Sequence, residues 1–320
     1  MNILTQIARI LVGALFIFSG FVKLVDPIGS QYKFEEYFAE GVLNIEFLIP
    51  YALIFSIILI VAEILLGVMI LIGYKPKTTV WSLFLLTLVF LFLTWYSAYY
   101  NKVTDCGCFG DAVKLSTWGT FYKNIYLIAF IIILMIGLKH IKPIFGGKIP
   151  KLITLVSLAL FMFIVQHVLT HLPIIDFRAY AIGKNLEQGM IFPEDGSIPP
   201  VHDFMLEDEQ SDLAPELLKK EKVMLVIVYN LDKIDENGYP AIKEVAIKAQ
   251  EKGYTVYGVS ASFTDDLILA KEKYNLPFDF LFCDETTLKT MIRANPGVII
   301  LDKGTVTQKK NWIDVDELEL

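Results

Sequence analysis

Ala8-Arg9-Ile10-Leu11-Val12-Gly13-Ala14-Leu15-Phe16-Ile17-Phe18-Ser19-Gly20-Phe21-Val22-Lys23-Leu24 is the centre of an apolar stretch, residues 3–25, broken by only two charges. About 20 consecutive, mostly apolar residues suffice to cross a bilayer. Four more stretches meet that length: 51–74, 79–99, 120–138 and 152–172. The alternative is a large buried bundle in water, but soluble helices rarely stay apolar all round for such lengths. Five membrane helices are therefore predicted. The first also has the look of a signal peptide. Its run is long and no small-x-small cleavage site follows, so it is expected to stay in the mature protein.

Composition agrees, with 55% hydrophobic and only 20% charged residues among 320, too apolar for an ordinary soluble chain. The charges are concentrated after about residue 172, where strand and helix periods of soluble type begin. A net charge of −7 and the lack of a basic cluster exclude a nucleic-acid partner. Membrane lipid is the partner that the first half demands.

Orientation follows from the short loops. Lys75 and Lys77 lie between the second and third spans, and Lys139, Lys142, Lys148 and Lys151 between the fourth and fifth. The opposite loops mix Lys33 with Glu35, Glu36, Glu40 and Glu46, and Lys102 and Lys114 with Asp105 and Asp111. The positive-inside rule then places the N-terminus in the cytoplasm. An odd number of crossings puts the loop after the third span and the whole C-terminal half on the outer face.

Charges inside the spans call for partners. Arg9 and Lys23 sit near the ends of the first span and can snorkel to the two interfaces, since a mid-membrane charge costs about 2.5–3.5 kcal/mol. Glu63 falls near the middle of the second span and cannot reach water so easily. Arg9 pairs with it if the first two helices pack, or Glu63 is neutral and moves protons. Between these spans, residues 31–47 read as an amphipathic interfacial helix, and Trp95, Tyr96, Tyr99 and Tyr100 as an aromatic belt.

Thr104-Asp105-Cys106-Gly107-Cys108-Phe109-Gly110-Asp111 holds two of the three cysteines. On an outer face disulfides persist, and a ring closed over one glycine is small, strained and hence labile. Cys106 and Cys108 are the candidate redox pair, one attacking a partner and the other resolving it. A structural staple is the bland reading. His167 and His171 share a helix face, and with Cys106 and Cys108 they make a minor metal alternative of two thiolates and two imidazoles.

Residues 173–200 read as a linker rich in Gly and Pro. Beyond it come strands at 201–206, 222–229, 254–260 and 278–282, helices at 241–252, 265–274 and 286–292, and a terminal hairpin around Asp302-Lys303-Gly304. Such an alternation describes a small α/β domain. The division is 1–145 membrane bundle, 146–172 fifth membrane helix, 173–200 linker and 201–320 soluble domain.

Two resemblances follow from particular residues. Val201-His202-Asp203-Phe204 and Ala294-Asn295-Pro296-Gly297, with that element order, resemble the thioredoxin-like fold of the TlpA and peroxiredoxin type over about residues 200–312. This implies that Pro296 is cis and faces an active site. Counted back from Pro240, the family's redox pair falls on Asp232 and Asp235. Carboxylates cannot exchange disulfides, so a redox-inactive domain kept for binding a client is implied, with Pro296, Asp232 and Asp235 at its binding face. Cys283 lies elsewhere and reads as a buried structural cysteine.

The membrane half resembles the DoxX-like families, MauE among them, through Arg9…Gly13…Phe16-Ile17-Phe18-Ser19-Gly20…Lys23-Leu24, Glu63…Gly67, and Cys106-Gly107-Cys108-Phe109-Gly110. What this implies is a four-helix bundle in a bacterial inner (cytoplasmic) membrane, linked to thiol–disulfide or quinone-coupled redox work and to maturation of extracytoplasmic proteins. No second cysteine pair is present to relay electrons, so a thiol-redox partner protein is required. Against this possible enzyme stands a non-catalytic assembly protein whose outer domain binds its client. Metal handling and small-molecule transport are the lesser alternatives.

Overall fold

The computed structural model describes residues 2–103, 110–113, 115–194 and 196–320, and these form two compact units, 1–169 and 170–320. The first is helical. Helices α1 (Asn2–Leu24), α3 (Ala52–Ile72), α4 (Pro76–Tyr100), α5 (Thr117–Ile136) and α6 (Ile149–Thr170) are each long and apolar enough to span a membrane. Their ends carry the expected signals. Pro27 opens the short α2 (Pro27–Phe38) behind Asp26, whose carboxylate accepts from Gly29 N at 3.1 Å. Gly73, at φ 72°, ends α3 in the left-handed conformation. Ser116 caps α5 by accepting from Gly119 N at 3.1 Å.

Helices α1 and α3 lie antiparallel, and glycines bring them together. A Cβ on Gly20 would come within 2.7 Å of Ile64 Cβ, and one on Gly67 within 3.0 Å of the Gly13 carbonyl oxygen. Close approach through small residues is the usual way for membrane helices to gain packing contact. Ala8, Val12 and Phe16 are buried with Ile70, Val80, Leu83, Ile131 and Leu134, which joins α1, α3, α4 and α5 in one core. Phe161 and Val165 hold α6 to Leu24, Ile60, Val61 and Ile64.

Residues 31–47 do not make one helix. α2 stops at Phe38, and a short 3-10 turn follows at Glu46–Tyr51. Gly41 and Asn44, both at positive φ, break the run between them. Tyr37 and Phe38 are buried with Ala52 and Val103, not displayed as an amphipathic face.

The second unit is built on a mixed sheet of order β3-β2-β1-β4-β5. β1 (Val223–Val228) is buried throughout and runs parallel to β2 (Thr255–Ser260), which pairs in parallel with β3 (Phe280–Phe282). β4 (Gly297–Asp302) is antiparallel to β1 and forms a hairpin with β5 (Thr305–Asn311). The two-residue period of a strand sends Met224, Val226 and Val228 to one face, against α9 (Tyr239–Glu251). The opposite residues Val223, Leu225 and Ile227 meet Leu186, Leu217, Leu288 and Met291 on the other. These come from α7 (Leu186–Gly189), α8 (Ala214–Leu217) and α11 (Glu285–Met291), while α10 (Thr264–Tyr274) follows β2.

Two expectations fail here. Residues 173–200 are not a free linker: Tyr180 and Leu186 are core residues, and Gly183 N donates to Val306 O at 2.7 Å, which covers the β5 edge. Residues 201–206 are not a strand. Asp203 stands at φ 53°, which breaks the extended run, and only Glu207 reaches the sheet, exchanging hydrogen bonds of 2.9 and 2.8 Å with Phe282. The isolated bridge covers the β3 edge.

Candidate functional site

The helical unit holds a buried ion pair. Lys23 Nζ lies 2.6 Å from Glu63 Oε2, with side chains 6% and 3% exposed. Lys23 Nζ also donates to Ser19 Oγ at 3.1 Å and stands 5.2 Å from the centre of the Phe90 ring. The glycine contacts fix the register that makes the pair: Gly20 packs on Ile64 and Gly67 on Gly13, so Lys23 falls beside Glu63.

Lys23 therefore does not snorkel, and Arg9 is not the partner of Glu63. The same register carries Arg9 to the far end of α3. There its Nε donates to Ile70 O at 2.8 Å and its second terminal nitrogen to Leu71 O at 2.6 Å. A guanidinium on the last carbonyls of a helix meets the negative end of the dipole, here adding a second donor to Ile70 O, which also accepts from Gly73 N.

The helical unit also buries polar side chains that the sequence did not single out. Thr94 Oγ1 accepts from Asn124 Nδ2 at 3.2 Å, and Tyr37 OH shares a hydrogen bond of 2.9 Å with Ser97 Oγ. Thr87, Thr94 and Ser97 are buried residues of α4, and their spacing keeps them on one face. That spacing of small polar residues in an apolar run was the available signal. Lys23 Nζ thus donates to Glu63 and Ser19, and Asn124 Nδ2 to Thr94.

Cys106 and Cys108 lie outside the described residues. Their sequence neighbours on either side are described. Val103 is fully buried with Tyr37, Phe38 and Ala52. Gly110 packs against the residue before Lys23: a Cβ on it would come 3.1 Å from Val22 Cγ1. On the metal alternative, His171 Nδ1 is 2.8 Å from Asp314 Oδ1, and no group of three or more His, Cys, Asp or Glu among the described residues is placed to hold a metal.

In the α/β unit, the carboxyl end of β1 meets the turn before β4. Asn295 Nδ2 donates to Asn230 O at 2.7 Å, and Asp235 N donates to Asn295 O at 3.0 Å. The Asn295–Pro296 bond is cis. Pro296 is buried, and a Cβ on Gly238 would come 2.9 Å from its ring, so the ring packs inward. Asp232 and Asp235 are both exposed; Asp235 Oδ1 accepts from Asn237 N at 3.1 Å and caps the following turn. The loop bearing Asp232 and Asp235 thus meets the separate turn bearing Pro296 through Asp235 and Gly238, with both aspartates exposed and the proline buried.

Cys283 is 1% exposed, at the floor of a cavity of about 400 Å³ lined by Asp203, Glu207, Phe282 and Asp284. Burial pushes its thiol up to about 12. A second buried charge cluster had no local signal in the sequence. Asp176 binds Arg178 Nε at 2.7 Å and Lys309 Nζ at 2.7 Å, and Lys309 also donates to Tyr180 O at 3.1 Å. Burial alone would raise the Asp176 carboxyl, but Arg178 and Lys309 outweigh it and hold it at about 2. Burial, seconded by Arg178, brings Lys309 down to about 8.

Five membrane-length helices with an interior ion pair, followed by an α/β unit on a mixed sheet, define a multi-pass membrane protein with an appended domain. Residues 1–137 match the family model for the methylamine utilisation protein MauE. The match covers the bundle through the end of α5 and includes the segment that bears Cys106 and Cys108. Comparison with curated proteins and with solved structures gave no match.

Proposed function

We propose that this MauE-like membrane protein carries out thiol–disulfide exchange on extracytoplasmic proteins through Cys106 and Cys108, with its α/β unit as the module that binds the client. The protein sits in the inner membrane of a bacterium, its N-terminus in the cytoplasm, and the bundle is of the wider DoxX-like kind. The observation that supports this reading is the packing of the described residues on either side of the cysteine segment. Val103 is sunk in the Tyr37–Phe38–Ala52 cluster and Gly110 rests on Val22, one residue from the Lys23–Glu63 pair.

The exchange balances without a cofactor. The Cys106 thiolate attacks a client disulfide, forming a mixed disulfide and releasing one client thiol. Cys108 then attacks Cys106 Sγ, which frees the second client thiol and leaves a Cys106–Cys108 disulfide. The client gains two electrons and two protons and the pair loses them. A partner protein's dithiol restores the pair by the reverse exchange.

The α/β unit does not share this chemistry. Its strand order and terminal hairpin support a redox-inactive thioredoxin-like fold. Exposed Asp232 and Asp235 occupy the positions of the redox pair, and a carboxylate is no nucleophile toward a disulfide. This favours the second reading, an assembly protein that binds its client without oxidising or reducing it. Cys108→Ser separates the two. The exchange reading expects that variant to accumulate a mixed disulfide between Cys106 and a client, released by reductant; no adduct in cells making the client sustains the assembly reading alone.

A further inference from the structure

The segment that follows the fifth membrane helix is inside out for a chain in water. In Pro173-Ile174-Ile175-Asp176-Phe177-Arg178, the charged residues are turned inward: Arg178 is 4% exposed and, with Asp176, joins Lys309. The apolar ones are turned outward, with Ile174 58%, Ile175 41% and Phe177 41% exposed. Single exposed apolar residues are normal, but three together on a segment whose charges are buried call for an apolar neighbour.

Within the same unit, the residues that follow Leu169 are held by β5 and the turn after it. Asn311 Nδ2 donates to Thr170 O at 3.0 Å, and Asp314 receives His171 Nδ1 at 2.8 Å. Ile313, between those two clamps in sequence, is 42% exposed. Thr170 is the last residue of a membrane-spanning helix, so groups hydrogen-bonded to its carbonyl stand at the level where the chain leaves the hydrocarbon. Ile174 is four residues further on, within a reach of about 14 Å even for extended chain. Exposed Ile174, Ile175 and Phe177 thus follow the end of α6 within a few residues, and Ile313 lies in sequence between the two residues bonded to Thr170 and His171.

We propose that Ile174, Ile175, Phe177 and Ile313 form an apolar collar inserted into the interfacial layer of the bilayer, so that the α/β unit is seated on the membrane rather than swinging from it. The partner is the lipid surface. Interfacial residence scales with buried apolar area, and the charges beside the collar are engaged within the unit: Asp176 binds both Arg178 and Lys309, and Asp314 Oδ1 is hydrogen-bonded to His171 Nδ1. The inference is independent of any thiol chemistry.

The test places one nitroxide label at residue 175 of the full chain, as Ile175→Cys with Cys106, Cys108 and Cys283 replaced by Ser, Ser and Ala. The protein is reconstituted in phosphatidylcholine nanodiscs, and accessibility to oxygen is compared with that to a water-soluble nickel chelate. The collar predicts that oxygen relaxes the label several-fold more than nickel, and that Ile174→Cys behaves alike. Glu251→Cys, exposed at the last residue of α9, supplies the aqueous reference. Nickel accessibility at 174 and 175 equal to that reference would overturn the proposal. So would shielding from both reagents, which would mean that a second copy or another protein covers the surface.

Discussion

Lys23 and Glu63 meet at 2.6 Å inside the helical unit, one from α1 and one from α3, with both side chains almost wholly withdrawn from the surface. Two opposite charges in such a place stabilise each other only as a pair. Removing one leaves the other desolvated and uncompensated, a loss of about 3–5 kcal/mol, whereas replacing both by apolar groups of similar volume is often neutral.

Lys23→Met alone and Glu63→Gln alone are therefore expected to lower the unfolding midpoint in detergent markedly. The double variant Lys23→Met/Glu63→Met should recover most of the loss. If the double variant is stable but inactive in client exchange, the pair has a role beyond packing. If the single variants unfold like wild type, the pair does not hold α1 to α3.

The Asp176–Arg178–Lys309 cluster sets a pH dependence at both ends of the scale. The Asp176 carboxyl sits at about 2 in the folded chain, below its ordinary 3.8. The unfolded chain then binds the extra proton in that window, so stability falls as pH drops from about 4 to about 2. Lys309, at about 8 instead of 10.5, works in the alkaline range. There the unfolded chain holds more protons above pH 8, so this group makes stability rise from pH 8 toward 10.5. Denaturation of the α/β unit, followed by its own probe at pH 8 and pH 10, should show a gain in wild type that is absent in Lys309→Met. Asp176→Asn strands two buried cations and should cost about 3–5 kcal/mol at neutral pH.

Cys283 should be inert. A thiol 1% exposed and pushed up to about 12 presents almost no thiolate at pH 8. Native protein treated with an alkylating reagent should carry no label at Cys283 by mass spectrometry, and full label after unfolding. Rapid native labelling would contradict the burial found here.

Long, type-specific signals were legible in the sequence: five apolar runs became α1, α3, α4, α5 and α6 within a few residues, and the strands of β1 to β5 fell where apolar runs and turns placed them. What could not be read was register and long-range pairing. Choosing between Arg9 and Lys23 as the partner of Glu63 depends on how Gly13, Gly20 and Gly67 set the slide of α1 along α3, which no local pattern states. Residues 173–200 looked like a linker because Tyr180 and Leu186 have no periodicity, and Asp176 and Arg178 make sense in a core only once Lys309, more than a hundred residues away, is beside them. The alternation at 201–206 was real, with Val201, Phe204 and Leu206 buried, but a strand also needs an unpaired edge. Both edges were already covered, by Glu207 and by 183–186.

Topology gives a fourth prediction. The basic residues Lys75, Lys77, Lys139, Lys142, Lys148 and Lys151 mark one side of the bundle. Reporter fusions after Asp111 and after Leu320 are expected to be active only as extracytoplasmic reporters, and a fusion after Lys77 only as a cytoplasmic one. Fusions at 111 and 320 on opposite sides would remove the outer unit as the binder of the clients of the cysteine pair.

The central claim is that Cys106 and Cys108 cycle. Membrane vesicles bearing the full chain, equilibrated in a series of thiol redox buffers and then quenched with a mass-tagged alkylating reagent, report the fraction of the pair that is reduced. The exchange reading predicts one reversible two-electron transition within the buffer range, shared by both cysteines and reached equally from the oxidised and the reduced side. A pair that stays oxidised in strong reductant, or stays free in strong oxidant, would contradict it.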